Sequence, residues 1–249
     1  MPESVTVFVL LASPFVGSFL TVLIARLPEG RQVVFGRSRC PACAGPIPFR
    51  DLVPVAGWVL RRGRCSRCGA EIPVWYPVVE LTAAVLAVWA FLVVPGWLAL
   101  ATCILGWSLI VVAFVDWQRL IVPDAVVLPL AAVGLGVSVS FGAERAVDHL
   151  IGAAVGYIAL RAVGAAYQML RGEEGLGRGD AKLFAAAGAW VSWVGLPSVL
   201  LWACLAGLAV ATVRAVRSGR LDPRQKLPFG SFLALGIWLV WLCGPVRIP

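Results

Sequence analysis

Long runs of apolar residues alternate with short polar segments along almost the whole 249-residue chain. About 20 consecutive apolar residues are needed for a helix to cross the hydrocarbon core of a bilayer, so runs near this length predict transmembrane helices. The sixth and seventh runs are the shortest. The predicted spans are 4–25, 76–94, 97–115, 124–141, 147–169, 181–195, 197–213 and 229–245. The pattern predicts an all-α polytopic membrane protein with about eight transmembrane helices.

The composition supports a membrane protein. Hydrophobic residues make up 60% of the chain and charged residues 14%, and the mean hydropathy is +0.90. A soluble domain is about half apolar and one quarter charged. The first run has only Glu3 before it and no basic segment, so we interpret it as a retained helix rather than a signal peptide.

The basic residues indicate the orientation, because they concentrate at the cytoplasmic ends of membrane spans. With eight spans, 18 of the 21 lysines and arginines fall on one face, which is therefore predicted to be cytoplasmic. Both termini are then predicted to lie outside and every long loop inside. Basic residues of these cytoplasmic loops account for the net charge of +8, so the charge requires no nucleic-acid partner.

The one sizeable polar segment, residues 26–75, contains two cysteine pairs. Two pairs of this spacing can supply the four corners of a tetrahedral zinc site. Two disulfides are the alternative, but the arginines place the segment in the reducing cytoplasm. The sequence thus predicts a small domain in which structural zinc substitutes for a large hydrophobic core. The predicted ligands are Cys40, Cys43, Cys65 and Cys68.

Three acids lie at the ends of predicted spans: Asp116 at the end of the third, Asp124 at the start of the fourth and Asp180 at the start of the sixth. An ionisable group at membrane depth is costly and is therefore a candidate functional residue. Two carboxylates a few Å apart resist double ionisation, so one holds a proton while the other acts as a base. Such a pair can hydrolyse a peptide bond by acid–base catalysis.

Each acid also has a structural explanation. Asp180 could cap the sixth helix, because Asp is a favoured N-cap residue and suits the positive helix end. Asp124 follows Pro123 in a first helical turn, where Pro and acids are common. Asp116 could be a loop acid beside Arg119. The pattern alone leaves both explanations open, and it does not decide whether Asp116 or Asp124 would accompany Asp180.

Seven segments carry a family resemblance. GEEGLGRGDAKL contains a GxGD motif at 177–180, and VDWQRLIVPD contains an Asp followed eight residues later by the Asp of a Pro-Asp pair. The other five are GSFLTVLIARLP, SRCPACAGPI, RGRCSRCG, YPVVEL and LPFGSFLALG. In their order along the chain, these seven segments resemble segments of the bacterial type IV prepilin peptidases, a family of membrane aspartic proteases.

The resemblance implies that Asp116 and Asp180 are the catalytic pair. Supporting roles fall to Asp124, Gly177, Gly179 and Lys182. The glycines would let irregular backbone lie close to an extended substrate, and Lys182 would bind lipid phosphate or offset the charge of the pair. The implied domains are a first transmembrane helix (1–25), a methyltransferase-associated zinc-binding domain (26–75) and a membrane-embedded peptidase domain (76–249).

The family's substrates are prepilins and pseudopilins of pilus and type II secretion systems, whose basic leader is cut after a Gly at the cytoplasmic membrane face. Many members also methylate the new N-terminus with S-adenosylmethionine. The resemblance therefore implies a bacterial inner-membrane enzyme with zinc and S-adenosylmethionine as cofactors and prepilins and the lipid bilayer as partners. The chain departs from the usual Asn, Tyr, Ser and Pro of the family at Thr21, Ala25, Gly57 and Ser231.

Other functions remain to be compared. A transporter or channel could use Asp116, Asp180 and Arg161 as relay charges, but its acids would be expected near mid-span, and no inverted repeat is visible. A prenyl- or phosphotransferase would need clustered acids. A presenilin-like protease shares GxGD but would not be expected to carry the cysteine segment, which could also be a docking module. The lone His149 is expected at the outer face, far from the acids.

Overall fold

The computed structural model describes residues 2–33, 38–173, 175–219 and 226–246. Across these residues the chain is helical, with two isolated β-bridges in the cysteine segment. The α-helices are α1 (Glu3–Arg26), α2 (Ala56–Leu60), α3 (Trp75–Val93), α4 (Leu98–Arg119), α5 (Asp124–Val139), α6 (Ala143–Arg171), α7 (Arg178–Ser218) and α8 (Phe229–Cys243).

The long helices have the length and composition of membrane spans. Five of them, α1, α3, α4, α6 and α7, are long and apolar enough to cross a bilayer. α5 and α8 are shorter apolar helices of 16 and 15 residues. The predicted apolar runs all lie largely within these seven helices, which confirms the all-α polytopic architecture.

Ser192 interrupts α7, because its φ of 60° and ψ of 176° are not helical. The interruption divides α7 into a first arm, 178–191, and a second arm, 193–218. The predicted spans 181–195 and 197–213 place a boundary near residue 196. The break lies instead at Ser192.

The second arm of α7 runs back along the first. A Cβ placed on Gly179 would lie 2.7 Å from Val122, and one placed on Gly230 would lie 3.0 Å from the same Val122. A Cβ on Gly207 would lie 3.2 Å from Phe232. The start of α8 therefore adjoins both arms. A straight helix would separate residues 179 and 207 by about 40 Å, so the two arms are the predicted sixth and seventh spans.

Small residues allow α6 to pack closely on the first arm of α7. A Cβ on Gly152 or on Gly188 would collide with the backbone of the opposite helix, which is the close approach that glycine permits between membrane helices. His149, near the start of α6, contacts the carbonyl oxygen of Ala189 at 3.0 Å. The lone histidine thus supports the turn at Ser192.

Two compact units divide the chain, Met1–Val111 and Val112–Pro249. In the first unit α1 packs on α3, where Gly17 lies against the backbone of Glu80, and the cysteine segment connects the two helices. In the second unit α7 packs on α5, α6 and α8. Its core includes Trp190, whose indole N–H donates to the carbonyl oxygen of Leu130 at 2.9 Å.

Candidate active site and cysteine cluster

Asp116 lies in the last turn of α4 and is 4% exposed. Its Oδ2 accepts a hydrogen bond from the backbone N–H of Ser231 at 2.8 Å and lies 3.2 Å from the Ser231 hydroxyl. The same hydroxyl lies 2.8 Å from the carbonyl oxygen of Ala113. A hydroxyl has one proton to donate and can also accept. It can therefore donate to an ionised Asp116, or donate to Ala113 and accept from a protonated Asp116.

Asp180 is the third residue of α7 and is 9% exposed. The N-cap position belongs to Gly177 rather than to Asp180. The backbone N–H of Gly177 nevertheless donates to the Asp180 carboxyl group, so Asp180 also closes the first turn of the helix, as the third residue of a capping box does. Its helix start and Asp116 both adjoin the start of α8, because Gly179 and Gly230 share the side chain of Val122 and Gly230 also faces Oδ2 of Asp116; the two carboxyl groups are near enough for their charges to interact. The structure therefore brings Asp116 and Asp180 together, as two buried acids that cannot both ionise easily.

Val122 brings the two acids together by packing between two glycines. Gly179, in the first turn of α7, and Gly230, in the first turn of α8, both face this side chain. A Cβ on Gly230 would also lie 3.1 Å from Oδ2 of Asp116. Gly179 is helical, so the irregular backbone expected around it ends at Gly177. Its missing side chain lets α7 begin beside Val122.

Asp124 and Lys182 form an ion pair with each other. Asp124 is the first residue of α5, and its Oδ2 lies 2.6 Å from Nζ of Lys182. The two side chains are 52% and 34% exposed. Because the pair is accessible to solvent, it contributes about 0–1 kcal/mol to stability. It ties the start of α5 to the first turn of α7, a contact that the sequence did not indicate.

The four cysteines of the polar segment form one cluster. Their Sγ atoms all lie within 4.8 Å of one another, and those of Cys40 and Cys68 are 3.8 Å apart. Tetrahedral zinc with Zn–S bonds of about 2.3 Å separates its sulfurs by about 3.8 Å, whereas a disulfide requires about 2.05 Å. All four are free thiols. The donor set fits a zinc ion, and the disulfide alternative is wrong.

Two turns of the same design carry the cysteines. The N–H of Cys40 donates to the carbonyl of Gly45 at 3.0 Å, and that of Cys65 donates to the carbonyl of Ala70 at 2.8 Å. In each turn the fourth residue after the first cysteine donates back to that cysteine. Those residues are Ala44 and Gly69, and both have positive φ. The cysteine segment is thus an internal repeat.

The thiol of Cys65 has a lowered pKa, which favours metal binding. Backbone hydrogen bonds from Cys68 and Arg67 lower the pKa of its thiol to about 6. A substantial thiolate fraction is therefore present at neutral pH, and the thiolate is the form that coordinates metals.

Comparison with known proteins identifies the family. Residues 11–94 match the bacterial peptidase A24 N-terminal domain, and residues 103–212 match the type IV leader peptidase family. The chain is 37% identical to the prepilin leader peptidase/N-methyltransferase of Aeromonas hydrophila over 95% of its own length and 90% of that protein. The chain belongs to the type IV leader peptidase family. The protein of the same description from Pseudomonas aeruginosa is 33% identical, with 98% and 92% covered.

Membership of the type IV leader peptidase family confirms the resemblance inferred from the motifs. The N-terminal match contains the four cysteines, and the leader peptidase match contains Asp116, Asp124, Asp180 and Lys182. No solved structure shows significant similarity to the chain. The transporter alternative is not supported, because the curated relatives are described as peptidases. Arg161, the third relay charge of the transporter alternative, lines a small cavity together with Gly177 and Arg178.

Sequence reasoning assigned no role at the site to Val122 or to Ser231, which it noted only as a departure from the family's usual Pro. Ser231 lies outside both family matches and is an ordinary polar residue in the first turn of a helix. Val122 is one more apolar residue in a short loop between spans. Only the contacts with Asp116, Gly179 and Gly230 reveal what these two side chains do.

Proposed function

We propose that the protein is a prepilin leader peptidase in which Asp116 and Asp180 are the catalytic acid–base pair. The observation that carries the proposal is the burial of two interacting carboxyl groups, one at the end of α4 and one at the start of α7. Among the residues that the structure describes, no basic side chain forms an ion pair with either acid, and burial of this kind suits a pair that shares one proton. The exposed Asp124 is engaged by Lys182 and is assigned a structural role.

We assign Asp116 as the base and Asp180 as the acid. The backbone N–H groups of Ser231 and Gly230 donate to Asp116, whereas Asp180 receives one such bond, from Gly177. Fixed donors stabilise an ionised carboxylate, and Asp116 has more of them. Asp116 then takes a proton from water as the water oxygen attacks the scissile carbonyl. Asp180 gives its proton to the carbonyl oxygen. When the C–N bond breaks, Asp116 gives its proton to the leaving amine and Asp180 takes one from a hydroxyl of the tetrahedral intermediate, which becomes the carboxylic acid product. The pair then again shares one proton.

The topology suits a substrate with a basic leader. Both acids lie at helix ends on the face that carries most of the basic loops, which the distribution of arginines assigns to the cytoplasm. With eight spans, both termini lie outside the cytoplasm of a bacterial inner membrane. A prepilin whose leader stays in the cytoplasm would then present its scissile bond at the depth of Asp116 and Asp180.

The cysteine cluster is proposed to hold one structural zinc ion. The four sulfurs would occupy all tetrahedral positions, and a closed site of this kind stabilises a fold rather than activating water. The segment 38–73 has no α-helix longer than α2, so the metal would supply cohesion that a hydrophobic core supplies elsewhere.

We further propose that the same chain methylates the amine that cleavage releases. The relatives from Aeromonas carry both activities in their descriptions, and the unit Met1–Val111 contains a cavity of about 630 Å³ beside the cysteine cluster. S-adenosylmethionine would supply the methyl group: its methyl–sulfur bond would break as the amine nitrogen is methylated and loses a proton, and S-adenosylhomocysteine would be left.

Mass spectrometry of a prepilin co-expressed with the protein tests both activities in one sample. The expected product lacks its leader and carries one additional methyl group on the new N-terminus. A cleaved but unmethylated product would contradict the methyl transfer alone. An intact prepilin beside a folded, membrane-inserted protein would contradict the peptidase assignment.

A further inference from the structure

A small cavity lies between α6 and the loop that precedes α7, in the unit Val112–Pro249. Its volume is about 50 Å³, whereas about 10–15 Å³ is enough to hold one water molecule. The cavity therefore has room for one small polar group, such as a phosphate. Its side-chain donors are Arg161, Gln168 and Arg178, and all three residues are exposed, so the group can enter from outside the protein.

The packing of α6 on α7 gives the depth of Arg161 in the membrane. The facing pairs are Gly152 with Gly188, Gly156 with Phe184 and Gly164 with Leu176. The facing residue thus moves back by one for each residue gained along α6, and Arg161 lies level with Gly179, next to Asp180. α6 has 29 residues, more than the roughly 20 that cross the hydrocarbon core. Arg161 is therefore an interfacial charge on the face proposed to be cytoplasmic, and the last turns of α6 extend beyond the core.

Two guanidinium groups, those of Arg161 and Arg178, line the same cavity. Among the residues that the structure describes, neither forms an ion pair and no acid belongs to the lining. Like charges repel each other at close range, so an anion between them would be stabilising. A guanidinium offers donors in a planar fork that fits two oxygens of a phosphate. The cavity therefore has the chemistry of a phosphate site.

The loop that forms one wall of the cavity also holds Asp180. The backbone N–H of Gly177 donates to the Asp180 carboxyl group, and Gly177 lines the cavity. The ring of Tyr167, on α6, occupies the space that a side chain at Gly175 would need. An anion bound in the cavity would add a second tie between α6 and this loop.

We propose that the cavity binds the phosphate of an anionic phospholipid of the cytoplasmic leaflet and that the bound lipid holds the loop of Asp180 in place. Basic pockets between membrane helices on the cytoplasmic side bind such headgroups, and the depth of Arg161 is that of the lipid phosphates. Arg161 and Arg178 would each donate to the phosphate oxygens. Lipid binding is independent of the proposed peptidase function, and only its effect on cleavage rests on that function.

Lipid retention tests the site directly. The full-length protein is placed in bilayer discs that contain phosphatidylglycerol and phosphatidylcholine in equal amounts, and native mass spectrometry identifies the lipid that it retains. The wild type should retain phosphatidylglycerol. Arg161→Gln and Arg178→Gln should each lower the ratio of retained phosphatidylglycerol to phosphatidylcholine by about fivefold, the contribution of one basic residue near an anionic surface.

Arg171→Gln is the matched control, because Arg171 ends the same helix and is exposed but does not line the cavity. Its lipid ratio should equal that of the wild type. An equal loss in all three variants would show only a general attraction to anionic membranes and would overturn the site.

Prepilin cleavage in discs with and without phosphatidylglycerol measures the effect on the loop. This lipid should raise the rate of the wild type and of Arg171→Gln but not that of Arg161→Gln or Arg178→Gln. Equal stimulation by inorganic phosphate in phosphatidylcholine discs would assign the cavity to a free anion and overturn the lipid assignment. A KM for the prepilin that rises in Arg161→Gln whatever the lipid would place an acid of the substrate in the cavity, with the same consequence.

If the variants do not fold, the wild type decides alone. Selective retention of phosphatidylglycerol supports the lipid site, and retention of both lipids in equal amounts overturns it. A wild-type protein that retains phosphatidylglycerol selectively but cleaves no prepilin in any lipid supports the lipid site and contradicts the peptidase assignment.

Discussion

Ser231 shows how a single polar residue can set the chemistry of a buried acid. Its backbone N–H and its hydroxyl both approach Oδ2 of Asp116, and the hydroxyl also approaches Ala113. The N–H cannot move, so it favours an ionised Asp116, whereas the hydroxyl can turn to suit either protonation state. The assignment of Asp116 as base and Asp180 as acid thus depends on the contact between Asp116 and Ser231, which are 115 residues apart in the chain.

Ser231→Ala should lower the rate of prepilin cleavage by about twofold to tenfold, the range for the loss of one hydrogen bond. The acidic limb of the pH–rate profile should move to higher pH, because the ionised carboxylate loses a donor. Initial rates with a purified prepilin across pH measure both effects. Ser140→Ala is the control, since that hydroxyl follows α5 and donates to the carbonyl oxygen of Val137 near the end of that helix. A rate loss without a moved limb would show that Ser231 acts only by packing.

Among the elements, the start of α7 depends on the absence of a side chain at Gly179. An added Cβ would lie 2.7 Å from Cβ of Val122, so the helix would have to move. Gly179→Ala should therefore reduce cleavage by about a hundredfold, which is the effect of misplacing a catalytic group by about 1 Å. Gly136→Ala is the matched control, because a Cβ there meets nothing within 4 Å and improves helix propensity by about 1 kcal/mol. Equal cleavage rates in the two variants would contradict the assigned role.

The repeated cysteine turns form the second element with a testable function. Purified protein should contain about one zinc per chain, and Cys43→Ser or Cys68→Ser should lose it. Methyl transfer should fall before cleavage does, because the acids lie in the other unit. Cys204→Ser should retain the metal, since Cys204 is outside the cluster. A metal-free protein that is folded and fully active would remove the zinc site. An immediate and equal loss of cleavage would mean that the cysteine segment helps to build the peptidase site.

For the whole molecule, the reversal of α7 at Ser192 determines whether the chain crosses the membrane an even number of times. In intact cells, Ser192→Cys should react with a maleimide that cannot cross the membrane, and Gly172→Cys should react only after the membrane is opened. Both changes are made with Cys204 and Cys243 replaced by Ala. If the Ser192→Cys variant does not react with the maleimide in intact cells, the eight-span topology and the outside location of the C-terminus are contradicted.

Hydropathy was sufficient to predict the spans, and the spacing of the cysteines was sufficient to predict their cluster. Both signals are local, because each depends on residues that are neighbours in the chain. The partner of Asp180 was left open by the pattern, since Asp116 and Asp124 lie equally near a membrane surface. Burial distinguishes them: Asp116 is enclosed by α4 and α8, and Asp124 faces solvent with Lys182. The break at Ser192 and the role of Ser231 depend on long-range packing, which no local pattern encodes.

The central claim is that Asp116 and Asp180 act as one unit. It is tested by cleavage of a purified prepilin by Asp116→Asn, Asp180→Asn and the double variant, with Asp124→Asn as the control. Each single change should abolish cleavage, and the double variant should be no worse than either, because groups that act as a unit are not additive. Asp124→Asn should keep substantial activity, since it removes only an exposed ion pair. A folded Asp180→Asn protein that still cleaves the prepilin would contradict the claim.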